Sequence, residues 1–169
     1  SGHYEAFNKG IRKSKGDWIY ILGSDDYFWS NEVLAKVVLE LSDLCTQCKI
    51  VYSNVIYVNQ NCEILMQVGC PWEEAKAKFL SKMTIPHQGV FHHYKIFEIH
   101  GFFNESFHFA GDYELLLREL ITGEAKYIPN LIIAGYRVSG GSSLIDNILK
   151  VFIEFRRAQY LNGILLLFS

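Results

Sequence analysis

Proline is scarce in this chain, at 3 of 169 residues, and cysteine is hardly commoner at 4. Cys45, Cys48, Cys62 and Cys70 are too few and too irregularly spaced to form a disulfide framework, and a chain that is 50% hydrophobic has no need of one. Such usage suits reduced thiols in the cytosol. Cys45-Thr46-Gln47-Cys48 has the spacing of half a zinc site, but no second pair follows and His92-His93 alternate as strand residues do, which favours ordinary core cysteines. Charge of one sign is missing too. The net charge is −2, with no basic stripe for nucleic acid and no polycationic patch for anionic lipid, so nucleic acid is excluded as a partner. Finally, no apolar run approaches the ~20 residues that span a bilayer.

What remains has the size of one domain and enough apolar residues to bury a substantial core. No internal repeat, low-complexity tract or linker divides it. Tyr4, Phe7 and Ile11 fall on one face of a first helix that stops near Gly16, and Trp18 to Leu22 follows as a strand apolar on both faces, which belongs in the middle of a sheet. Ser30 or Asn31 can cap a second helix whose Val33, Leu34, Val37, Val38 and Leu41 form a broad stripe. Lys49 to Val58 and Cys62 to Val68 flank Asn59-Gln60-Asn61 as a hairpin. After Pro71 comes a helix with Glu73 and Glu74 in its first turn and Phe79, Leu80 and Met83 inward. Gly89 to His93 reads as a strand, Tyr94 to His100 as a short helix, Asp112 as the opening of another helix, and Lys126 to Ile128 and Leu131 to Val138 as two strands around Pro129-Asn130. Val151 to Ser169 is an amphipathic segment that packs on the domain or touches a membrane surface.

Asp25 and Asp26 follow the first strand directly. Neighbouring carboxylates repel unless a cation or a donor compensates them, and Mg²⁺ or Mn²⁺ shared with the oxygens of a diphosphate would do so; a turn held by local Asp hydrogen bonds is the plainer alternative. Asp112, in Ala110-Gly111-Asp112-Tyr113-Glu114, is either a helix N-cap or a fixed general base kept charged by the helix terminus. His87 and Gln88 can donate to phosphate or sugar hydroxyls, or simply serve structure. Tyr136-Arg137 and the Gly140 to Ser143 loop could close over a diphosphate.

Taken in order, Tyr4-Glu5-Ala6-Phe7-Asn8-Lys9-Gly10-Ile11, Gly23-Ser24-Asp25-Asp26, Pro86-His87-Gln88 and Gly111-Asp112-Tyr113-Glu114-Leu115 resemble the motifs of family 2 glycosyltransferases with the GT-A fold. The resemblance runs from about Gly2 to Ser143. It implies an α/β, Rossmann-like mixed sheet with flanking helices whose first two β-α units are missing here, so that Trp18 to Leu22 has an unpaired edge or borrows a neighbour, over residues 1–145, with an amphipathic helix in 146–169. It also implies Asp25 as the metal ligand, Asp112 as the base, and Asn8, Lys9, Ser24, Asp26, His87, Gln88 and Arg137 around the nucleotide-sugar. The family's acidic loop commonly reads Asp-x-Asp-Asp or Asn-x-Asp-Asp; Gly23 takes the first position here, which removes a contact to the ribose or to metal-bound water.

The expected activity is inverting transfer from a nucleotide-diphospho-sugar, a UDP-sugar foremost, to a glycan or lipid-linked acceptor in cell-surface polysaccharide synthesis, in the cytoplasm or at the inner membrane face. A non-catalytic remnant with the same fold is the alternative. A phospho-accepting receiver domain also sets paired acids after a strand, but it needs a further Asp and Lys on later strands, where this chain has a hairpin.

Overall fold

The computed structural model describes residues 2–42, 44, 48–138 and 143–164. In chain order the elements are α1 (His3–Lys13), β1 (Trp18–Tyr20), β2 (Tyr27–Phe28), α2 (Val33–Ser42), β3 (Ile50–Val58), β4 (Ile64–Val68), α3 (Trp72–Phe79), a 3₁₀ turn (His87–Gly89), β5 (Val90–His93), α4 (Lys95–His100), α5 (Gly111–Leu120), β6 (Ala125–Arg137) and α6 (Ser143–Leu161). Residues 45–47 of the zinc-type pair, the loop glycines at 140 and 141, and the apolar tail from 165 lie outside the described residues.

The long strand β3 organises a mixed sheet. One edge runs parallel to β6. The other edge is divided: Ile50 to Tyr52 pair antiparallel with β5, and Val55 to Val58 with β4, as the hairpin pattern predicts. At the division the backbones come close. A Cβ on Gly89 would lie 2.6 Å from the Ser53 carbonyl oxygen, and one on Gly69 would lie 2.5 Å from Asn54 Oδ1. Only glycine fits both places, and the 3₁₀ turn carrying His87 and Gln88 enters through that gap.

β6 is one strand, not the two expected, because β3 side chains bridge its interruption. The register passes from Tyr52↔Tyr127 to Asn54↔Ile132, looping out Pro129-Asn130, with Asn130 at φ 59°. The carbonyls lost from the ladder are recovered by Ser53 Oγ, bonded to Ile128 O at 2.7 Å and also to Leu131 O, and by Asn54 Nδ2, which donates to Leu131 O at 3.0 Å.

The strand at 18–20 is covered on both faces and sits at the sheet's edge, paired only with β5 among the described residues; this is the unpaired edge that the resemblance implies, not the mid-sheet place that the apolar run suggests. Three residues pair, not five, because the chain turns away at Ile21 toward the acidic loop.

Period-two alternation deals the strands to two cores. Ile19, Ile50, Tyr52 and Val90 face a layer built from α1, α3, α4, α5 and α6, whereas Trp18, Tyr20, Val51 and Phe91 face α2. Helix α1 ends at Lys13, short of Gly16, because the Ser14 amide donates to Gly10 and Ile11 carbonyls and its hydroxyl to Gly10 O at 3.0 Å. Helix α2 buries Val33 and Val37 while Leu34 and Val38 stay exposed, and Leu80 past α3 is likewise outside. Helix α6 lies against α5: Phe155 stacks on Tyr113 at 4.7 Å and Ala158 is buried, leaving Ile148, Leu149, Phe152 and Ile153 exposed. No helix among the described residues is long and apolar enough to cross a membrane.

His92 is fully buried, and neither ring nitrogen finds a well-formed hydrogen-bond partner among the described residues. Burial, with His87 beside it, pushes its pKa down to about 3 against a weak pull from the Ile19 backbone. The unfolded chain protonates this ring near the ordinary ~6.5 while the folded one does not, so stability is unaffected above that pH and falls as pH drops below it. Between pH 7 and pH 5 the wild type should lose about 2 kcal/mol more than His92→Leu in urea unfolding. Equal losses would assign the acid sensitivity to another group.

Candidate functional site

The acidic loop hangs between β1 and β2. The Asp26 amide donates to Gly23 O at 3.2 Å, and residues 24–25 form the exposed tip, where Ser24 Oγ donates to Asp25 Oδ1 at 3.3 Å. Strand β2 pairs with Ala134 and Gly135, which brings half-buried Asp26 against the end of β6, so that its Oδ1 accepts from the Arg137 amide at 3.3 Å. Desolvation raises the Asp26 pKa, the amides of Arg137 and Gly23 draw it back, and the Asp25 charge raises it further. A Cβ on Gly23 would lie 2.5 Å from Asp26 Oδ2, so glycine here gives the Asp26 carboxylate its place.

Beyond the loop lies a cavity of about 280 Å³ lined by Tyr57, Val68, Met83 to Gln88, Asp112 and Tyr136. Tyr57 is the last but one residue of β3 and Tyr136 the last but one of β6; their rings stand 4.9 Å apart. His87 and Gln88 come from the 3₁₀ turn, with the Gln88 carbonyl fixed by the Tyr20 hydroxyl at 2.7 Å. The buried His87 Nε2 has no hydrogen-bond partner among the described residues. Burial lowers the His87 pKa while Asp112 and Asp26 pull it upward. Burial also raises both phenols, and each is raised further by the charges of Asp26 and Asp112. The two carboxylates therefore bear on the same three side chains from different elements, although they are 86 positions apart in sequence.

Asp112 is the second residue of α5, whose N-cap is Ala110 with no side-chain cap, so the N-cap alternative for Asp112 does not hold. Its Oδ1 accepts from the Tyr113 amide at 2.8 Å. Among the described residues, no Lys or Arg is ion-paired with Asp25, Asp26 or Asp112, whereas buried Glu119 has both Lys49 at 2.7 Å and His100 at 2.9 Å. No group of three or more His, Cys, Asp or Glu could hold a metal by itself among these residues. A hard cation at the loop would therefore take one or two carboxylates and complete its shell with phosphate and water oxygens, as Mg²⁺ and Mn²⁺ commonly do.

Other residues singled out by sequence lie apart from this cavity. Asn8 is buried, and its carboxamide is spent on Phe103 O at 2.9 Å, Phe103 N at 3.0 Å and Glu105 at 2.8 Å, so it ties α1 to the loop before α5. Lys9 is exposed and paired with Glu5 at 2.5 Å. Arg137 offers its amide to Asp26, but its guanidinium turns to Cys62 Sγ at 3.5 Å. Tyr57 and Glu154 were not anticipated. Tyr57 is the one incompletely buried residue of β3, and Glu154 is a lone acid within Val151-Phe152-Ile153-Glu154-Phe155.

A mixed sheet flanked by helices, an acidic loop after its edge strand and a third acid at a helix start across the cavity define the GT-A class of nucleotide-diphospho-sugar transferase folds. The structure is similar to S. aureus TarS 1-349 at a TM-score of 0.62 and 12% identity, covering 96% of this chain and 45% of that one. It is similar to TarS 1-349 in complex with UDP-GlcNAc at 0.61 and 12%, covering 92% and 45%. In sequence, 154 residues are 29% identical to a PGL/p-HBAD biosynthesis glycosyltransferase of Mycobacterium bovis (strain BCG / Pasteur 1173P2) and to one of Mycobacterium tuberculosis (strain ATCC 25177 / H37Ra), over 84% of this chain and 53% of each relative. The chain thus spans about half the length of these relatives. Residues 1–119 match the model of glycosyl transferase family 2, and the chain belongs to that family.

The Gly23 contact yields a test. Gly23→Ala should leave the fold intact, since the atom it meets is the end of a side chain and not backbone, but displace Asp26 from the Arg137 amide and weaken Mn²⁺-dependent UDP binding roughly tenfold by calorimetry. Unchanged affinity would mean that the Asp26 position is immaterial to the nucleotide.

Proposed function

We propose that the chain forms the catalytic part of an inverting glycosyltransferase that moves a sugar from a nucleotide-diphospho-sugar, a UDP-sugar foremost, to a glycan or lipid-linked acceptor of the cell surface. The observation that carries this reading is that Asp26 and Asp112 act on the same Tyr57, Tyr136 and His87 around one cavity. Support for the donor comes from the TarS complexes with UDP and UDP-GlcNAc. The names of the mycobacterial relatives support a biosynthetic acceptor. In this reading residues 1–145 make the transferase core and 146–169 a helix that docks on it, with the enzyme working in the cytoplasm or at the inner face of the membrane.

Asp25, with Asp26 beside it, would hold Mg²⁺ or Mn²⁺, which when bound supplies positive charge to the departing diphosphate. Asp112 accepts the acceptor hydroxyl's proton as that oxygen bonds to the anomeric carbon, and the carbon–oxygen bond to the diphosphate breaks on the opposite face, its electron pair leaving with the nucleotide. A base of this kind works by position. His87, held neutral by burial, presents Nε2 to a phosphate or sugar oxygen, with Gln88 beside it. The phenols of Tyr57 and Tyr136, kept protonated, donate to the sugar. Ser24 at the loop tip and the Arg137 backbone frame the nucleotide side, whereas Asn8 serves by tying α1 to the loop before α5 and Lys9 stays with Glu5 on the surface.

Calorimetry with UDP and Mn²⁺, followed by a transfer assay, separates the enzyme from a non-binding remnant. Asp25→Asn should abolish the metal-dependent part of UDP binding. Asp112→Asn should keep that binding and lose transfer by about 10²-fold or more. Absence of any metal-dependent binding by the wild type would favour the remnant.

A further inference from the structure

The segment that leads into α5 has no cap of its own. Ala110 occupies the N-cap position and offers no side-chain acceptor, yet the amides before and within the first turn need partners. They find them on two remote helices. Glu154 of α6 accepts from the amides of His108 at 2.8 Å, Phe109 at 2.7 Å and Ala110 at 3.0 Å. The Tyr4 hydroxyl of α1 accepts from those of Gly111 at 2.8 Å and Asp112 at 3.2 Å. Five successive N–H groups, ending on the residue read as the base, are thus taken up by one carboxylate and one phenol.

Both acceptors are themselves fixed. The Glu154 side chain is 14% exposed, and although partial burial works against its charge, the three amides hold its pKa below the usual range. Its helix is anchored on either side, by Phe155 stacked on Tyr113 and by Arg157, which donates to Ser106 Oγ at 2.7 Å and lies over the Phe107 ring. Tyr4 is buried and stacked on Phe103 at 5.5 Å, and a Cβ on Gly111 would meet its ring at 2.7 Å, so this glycine lets the phenol reach the helix start.

We propose that Glu154 and Tyr4 are positioning residues for Asp112, and that α6, which lies beyond the matched residues 1–119, is part of the machinery that aims the base. The proposal rests on Asp112 being that base. Gln in place of Glu154 keeps one acceptor but loses the charge and the second oxygen, which leaves amides competing and the helix start free to tilt. Since a misplacement of about 1 Å can cost ~10²-fold in rate, a partial loosening should cost about tenfold.

In the full chain, Glu154→Gln should lower kcat about tenfold with the donor KM within twofold, and Glu154→Asp should restore most of the loss. In ¹H–¹⁵N spectra the amides of residues 108–112 should move while those at the far end of α5 stay. If the Gln variant does not fold, Tyr4→Phe, which keeps the ring and removes only the oxygen, should give the same split between kcat and KM. An unchanged kcat, or a loss shared equally by KM, overturns the proposal. If the wild type turns over no donor, the transferase reading falls on its own, and the spectra then decide: amides 108–112 that ignore Glu154→Gln would end the positioning role as well.

Discussion

A single strand with three partners sets the terms for everything else in this protein. β3 gives one edge to β6 and divides the other between β5 and β4, and neither of those can continue past Ser53-Asn54. On the β6 edge the ladder is broken by the looped-out Pro129-Asn130, and Ser53 and Asn54 repair it by reaching the Ile128 and Leu131 carbonyls. The gap on the opposite edge admits the turn that holds His87 and Gln88, and the ends of β3 and β6 supply Tyr57 and Tyr136 to the same hollow. Sheet topology, more than any local motif, assembles the cavity.

Charge is distributed with a clear division of labour. The acids inside the helical layer are matched: Glu119 by Lys49 and His100, Glu114 by Arg118 at 2.6 Å, Glu154 by backbone amides. A buried acid without such partners would be costly, and the fold provides them. Around the cavity the pattern reverses. Asp26 and Asp112 bear on two phenols and a buried imidazole, with no Lys or Arg ion-paired to them among the described residues, and Asp26 is drawn upward in pKa by its own desolvation. Uncompensated negative charge beside a hollow is a feature of sites that bind cations or move protons.

Much of this was readable from the residues. The hairpin at 50–68, the helix opening at Gly111 and the paired acids after a strand follow from period, turn chemistry and order, because each is a local property. Local reasoning failed where tertiary partners decide. Trp18 to Leu22 has the apolar run of a central strand, yet it is an edge, as the resemblance and not the run implied, since covering both faces says nothing about who pairs alongside. Pro129-Asn130 looks like a strand break, yet Ser53 and Asn54 hold the two halves in one strand. Asn8, Glu154 and Tyr4 carry long-range roles for which no spacing rule exists, because their partners lie about a hundred, 44 to 46 and over a hundred residues away. Within the site, the resemblance identified His87 and Asp112 as cavity residues, whereas Tyr57 became visible only in three dimensions.

The two strands that flank the acidic loop, β1 and β2, are the shortest in the sheet and stand at its two ends. β1 has three residues and, among the described residues, a single neighbour. Segments with so few cooperative bonds open at low free energy and exchange their amide hydrogens ahead of the interior. Asp25 is therefore carried at the margin of the sheet, while Asp112 sits on α5, which α6 packs against. A ligand held by both acids would tie that margin of the sheet to the helical layer.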